Sequence, residues 1–190
     1  LDNNSIINIT TGTLSGTIQG LSNNQGTINF TSGTNVLNAT LGTTSHALNN
    51  ITINSNSTLN ASTNNKSINA TTITLTDNTS TLTIGTGTIT STINGSTANT
   101  GIINLNATNT IASGTYLGNN ATNNGNGLSQ LNINNTTTIT ANESIKASTV
   151  TIGDSTNTAS LTLSTNKSIT GNVVIANHGT LILNNNNSIS

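Results

Sequence analysis

Near the C-terminus the chain reads SLTLSTNKSITGNVVIANHGTLILNNNNSI, residues 160–189. Sliding this stretch along itself by 20 residues sets Leu161 on Leu181, Leu163 on Leu183, Asn166 on Asn186, Ser168 on Ser188 and Ile169 on Ile189. The shared unit is L-x-L-x-x-N-x-S-I. Self-similarity at a fixed period of this size marks a repeat architecture, in which each unit is one supersecondary element.

Working outward, the Asn-x-Ser-Ile element recurs at 3–6, 65–68, 142–145, 166–169 and 186–189. Alternating apolar pairs accompany it. One set reads Ile51/Ile53, Ile73/Leu75, Ile103/Leu105, Leu131/Ile133, Val150/Ile152 and Val173/Ile175, a first strand. A second reads Leu59/Ala61, Leu82/Ile84, Ile139, Leu161/Leu163 and Leu181/Leu183. A short apolar corner centres on Ile68, Ile89, Ile145, Ile169 and Ile189. Period two puts every second side chain on one face. Segments this short, rich in Thr, Ile and Val, favour strands over helices.

Hairpins would also alternate, but they favour Asn-Gly turns between equal strands. Pairs such as Asn94-Gly95 and Asn126-Gly127 are too few for that. A propeller needs four strands in each repeat of about 40 residues. Coils of about 20–24 residues, stacked as a single-domain parallel β-solenoid over residues 1–190, fit better. Stacking places equal positions about 4.8 Å apart. Aliphatic ladders then fill the interior. Ladders of Asn142, Asn166 and Asn186, with Ser144, Ser168 and Ser188, line a turn, where Asn amides bond along the column. Eight or nine coils make a rod about 40 Å long. The first-strand spacings of 22, 30, 28, 19 and 23 predict extra loop residues around 91–100 and 117–127. Residues 10–25 have no clear phase.

Composition agrees. Asn and Thr make up roughly two-fifths of the 190 residues, and Pro, Cys, Met, Trp and Arg are absent. Like charges stacked one strand apart repel, so few charges are expected. The net charge is −1. Without a basic patch, nucleic-acid binding and electrostatic membrane binding are not expected. No apolar run reaches the length of a transmembrane helix. Without cysteine there is no disulfide framework and no thiolate metal site.

The chemistry-bearing residues are scattered. Asp2, Asp77, Glu143 and Asp154 fall in different parts of the coils, with Glu143 and Asp154 about half a coil apart, whereas glycoside hydrolysis needs a converging pair. His46 and His178 have no ligand-spaced partner. No catalytic, cofactor or metal site is expected, and the chain reads as a non-enzyme. Sequons such as Asn38, Asn60, Asn69 and Asn120 are those chance supplies in such a composition. The Thr-x-Thr pairs Thr72/Thr74, Thr81/Thr83, Thr86/Thr88, Thr136/Thr138 and Thr149/Thr151 would aim hydroxyls outward, where a flat array could match ice. Thr also simply suits an exposed strand face. Tyr116, Asn119 and Asn120 mark the candidate contact loop, because loops on rigid scaffolds carry recognition.

Segments such as GTINF (26–30), TLTIGTGTIT (81–90) and NHGTLILNNN (177–186) resemble the passenger domains of bacterial autotransporters, the rickettsial type of surface antigen in particular. The resemblance implies a right-handed parallel β-helix, export through a C-terminal outer-membrane barrel, and adhesion at the bacterial cell surface. The chain would then be the repeat region of a longer protein, and its partner a receptor on a host or neighbouring cell. Two other expectations stand beside it: a fibre or surface-layer subunit whose identical copies stack through open coil ends, and an ice-binding solenoid.

Overall fold

A computed structural model describes residues 1–62, 65–135 and 137–190. It is all-β, a single solenoid of about eight turns. The strands are, in order, β1 (Ile6–Ile9), β2 (Gly12–Ile18), β3 (Thr27–Phe30), β4 (Gly33–Leu41), β5 (Leu48–Ile53), β6 (Ser57–Ala61), β7 (Ile68–Leu75), β8 (Thr81–Ile84), β9 (Ile89–Gly95) and β10 (Ile102–Leu105). There follow β11 (Asn109–Ile111), β12 (Tyr116–Leu117), β13 (Leu128–Ile133), β14 (Thr137–Ala141), β15 (Ile145–Ile152), β16 (Ala159–Leu163), β17 (Ser168–Ile175), β18 (Gly179–Leu183) and β19 (Ser188–Ile189).

All the strand pairs among the described residues are parallel, and they build three columns. The first is followed through Ile7, Ile28, Ile51, Ile73, Ile93, Leu117, Ile145, Ile169 and Ile189, each stacked on the one before. Successive members are 20–24 residues apart, except for 28 between Leu117 and Ile145. The second runs through β2, β4, β6, β8, β10, β13, then residues 149–152 of β15 and 172–175 of β17. The third is β11, β14, β16 and β18.

Alternation carries the energetics. In β6 and β16 every second residue is buried, and the buried apolar residues are Ile, Leu, Val and Ala with Phe30, joined by polar residues such as Asn35, Ser57 and Thr115. Each fully buried aliphatic side chain contributes about 1.5–3 kcal/mol. Parallel neighbours above and below satisfy the backbone groups of the strands, so a chain without a large aromatic core still folds.

Three expectations are corrected by the columns. Residues 91–100 are not mainly a loop: β9 occupies the first half, and Ile93 is a rung between Ile73 and the next coil. Ile103 does not stack on Ile73. It stacks on Leu82, so midway the first strand passes from column one to column two, the second strand from column two to column three, and the apolar corner of Ile145, Ile169 and Ile189 into column one. Residues 12–18, which showed no phase, form β2 and pair with β4. Residues 118–127, by contrast, do leave the stack and hold no strand.

The core ladders end unevenly. Ile73, Leu82, Ile145, Val150, Leu161 and Ile169 are buried, whereas Val173 and Leu181 are only partly so. Ile189 is 46% exposed, because β19 pairs only with β17 among the described residues.

Candidate functional site

The acidic side chains sit in turns, and the turns use them. Asp77 Oδ1 accepts from the Thr79 N–H at 2.8 Å, the Thr79 hydroxyl at 2.7 Å and the Ser80 N–H at 3.1 Å. Asp154 is bonded likewise to Thr156 and Asn157, and Asp2 to Asn4 and Ser5. An Asp that caps its own loop this way stabilises the turn. Hydrogen bonds to the ionised form hold all three carboxyls below their ordinary value, led by the Ser55 hydroxyl at Asp77, the Asn157 amide at Asp154 and the Ser5 hydroxyl at Asp2.

Glu143 does more. Its carboxylate takes the Lys167 ammonium at 2.8 Å from one coil, and the Ser113 hydroxyl and Gly114 N–H, both at 3.0 Å, from another. Burial opposes its ionisation, but the Lys167, Gly114 and Ser113 bonds outweigh it and leave its carboxyl below the usual range. Glu143 and Asp154 therefore serve separate turns. Among the described residues no group of three or more His, Asp or Glu could hold a metal ion. His46 pairs with the neighbouring Ser45 hydroxyl, and His178 lies exposed.

The turn ladder divides. Asn166 and Asn186 both have positive φ, 61° and 59°, a conformation Asn tolerates better than most residues, and Asn186 Nδ2 donates to Asn166 Oδ1 at 3.0 Å. Asn142 instead accepts a hydrogen bond from the Ser164 hydroxyl. The Ser144 hydroxyl accepts from the Ser168 N–H at 3.0 Å, and Ser188 stacks on Ser168. Two further Asn ladders, Asn8–Asn29 and Asn104–Asn132, each close at 2.9 Å. Their signal was an offset of one coil, 21 and 28 residues, and so was that of Glu143 and Lys167 at 24.

The loop after Tyr116 is closed on itself. Gly118 and Gly127 are joined by a backbone bond of 2.8 Å. Asn119 is buried, and its amide donates to Asn123 Oδ1 at 3.1 Å. Asn120 Oδ1 accepts from Thr122 and Asn124. These amides hold the loop, Tyr116 is half-buried, and the exposed surface of the loop is residues 121–124 with Asn126.

The Thr-x-Thr pairs do not gather into one array. Thr72/Thr74 belong to the first column and Thr81/Thr83 and Thr149/Thr151 to the second. There the rungs Ile102/Asn104 and Gln130/Asn132 intervene. Thr136 lies outside the described residues.

One concavity had no sequence signal. A cleft of about 270 Å³ opens beside the early coils, between the loops after β2 and β4, over the bend of β7. It is assembled from residues as far apart as Asn23 and Thr90. No family model, curated protein or solved structure matches the chain.

Proposed function

We propose that the chain is a non-enzymatic, extracellular structural and adhesive element: a stiff β-solenoid stalk displayed at a bacterial cell surface. One observation supports this most. The acidic side chains are spent within the scaffold, capping turns or, in Glu143, joining coils. Eight turns at about 4.8 Å give a spacer of about 40 Å. Its lateral faces are neutral rows of Asn and Thr, which suit contact with a neutral partner on another cell. The resemblance to autotransporter passengers supports surface display.

The test is attachment. Beads carrying the chain by one terminus should adhere to cultured host cells above the level of beads carrying an unrelated solenoid. Equal attachment refutes the adhesive role. Sequencing the full reading frame tests the export route, since a downstream run of alternating strands of about ten residues would encode a membrane barrel.

A further inference from the structure

We infer that the cleft beside the early coils is a binding site for a neutral saccharide. This rests on the adhesive reading above and names a ligand class for it. Its rim comes from two loops that are tied down. The loop after β2 is held by Gly20 N–H to His46 O at 3.3 Å, and by Asn23 Oδ1, which accepts from the Ala47 N–H at 3.1 Å. Asn24, with φ 61°, accepts from the Thr71 hydroxyl at 2.9 Å across 47 residues, two coils away. The cleft is thus spanned and preorganised, which lowers the entropy lost on binding.

The lining constrains the ligand. Beyond the bonds just given, and that of the Asn69 amide to Gly42 O, Asn23 and Asn24 keep their amide N–H groups and Thr44 and Thr90 their hydroxyls for a ligand. Ala47 and Ala70 supply small apolar patches. No charged residue lines the cleft, so neither an anion nor a cation finds a counter-charge there, and a divalent ion finds no carboxylate. The strands beneath are paired on both sides through β7, so no backbone edge is open to receive an extended peptide. A ligand dense in hydroxyls, uncharged, with small C–H faces, matches all of these. At about 270 Å³ the cleft lies just below the usual range of small-molecule pockets, which limits it to one or two sugar rings. Without an aromatic platform the affinity is weak, with a dissociation constant on the order of 1 mM. Repeated display on a cell surface raises it by avidity.

The experiment is an amide-resolved NMR titration of the whole chain with neutral sugars: glucose, galactose, N-acetylglucosamine and their β-linked disaccharides. At least one should shift the side-chain amides of Asn23, Asn24 and Asn69 in a saturable way. Thr44→Trp, on the exposed rim, should abolish those shifts, while Thr122→Trp in the distant loop should leave them. No shift with any sugar, shifts elsewhere, or shifts that survive Thr44→Trp overturn the site. Bead attachment reads the adhesive role separately: attachment unchanged by Thr44→Trp overturns the cleft as its seat while leaving adhesion standing.

Discussion

Truncating one leucine in two adjacent coils tests the stacked core directly. Leu161 and Leu181 occupy the same column, with Leu161 between Ile139 and Leu181. Leu161 is 0% exposed, while Leu181 is only partly buried, since β18 is the last strand of its column among the described residues. Leu161→Ala removes buried methyl groups and leaves a cavity closed by both neighbours, a loss of about 3–4 kcal/mol. Leu181→Ala opens onto solvent, so the cavity share vanishes and only part of the transfer share is lost, about 1–1.5 kcal/mol. Nearest-neighbour stacking points the same way, since an internal rung belongs to two interfaces and a terminal rung to one. Urea unfolding followed by far-ultraviolet circular dichroism, in dilute protein, should give a two- to fourfold ratio of the two losses. Hydrogen exchange should show Leu181→Ala loosening chiefly residues 168–189, and Leu161→Ala also β14 and β15. Equal losses, or a larger loss at Leu181, would refute the uncovered last coil.

Further outcomes are specific to single groups. The folded-state carboxyls of Asp2, Asp77, Glu143 and Asp154 are depressed, so their stabilisation is complete above the unfolded value and lost as pH falls through the folded ones. The urea midpoint should therefore hold from neutrality down to about pH 5 and fall below about pH 4, and Asp77→Asn with Asp154→Asn should flatten that acid limb. Glu143→Gln weakens a bridge between three coils and should lower stability by about 1–2 kcal/mol, read by the same unfolding assay. Ser57 Oγ is buried without a hydrogen-bond partner among the described residues, so Ser57→Ala should be neutral or stabilising by up to about 1 kcal/mol in thermal unfolding. At Gly171, φ is +135° and an added Cβ would lie 1.6 Å from Ala147 O, so Gly171→Ala should cost about 3 kcal/mol or more and expose the last coils to protease.

Much of the fold was legible because one physical rule writes it. A coil must bury every second side chain, and the alternation at Leu161/Leu163 or Val150/Ile152 reports that without any partner being known. The Asn166–Asn186 ladder was legible for a related reason: a residue suited to positive φ recurs at the coil length. The cleft was not legible, because its residues share no period and their chemistry is that of the whole surface. Only the fold sets Asn24 against Thr71.

The shift of columns shows where local information stops. Residues 67–75, SINATTITL, and 144–152, SIKASTVTI, share one pattern of Ser, Ile, Ala and alternating aliphatics. They form the same object: β7 and β15 are eight-residue strands with the same order of buried and exposed positions, each irregular in register near its Ala. Yet Ile73 of the first lies in column one, and Val150 of the second in column two. Between them one coil turns all three corners without a bent strand, passing through β10, β11 and β12 before the loop of residues 118–127. Ile, Leu and Val fill any column equally well, so packing alone does not tell one column from another. Polar bonds specific to these coils accompany the shifted phase. Glu143 ties Gly114 to Lys167 across the coils that follow the shift, and Lys146 Nζ donates to Gly125 O at 2.7 Å inside the loop. Hydrophobic alternation thus builds the coil, while in this region charged hydrogen bonds tie one coil to the next.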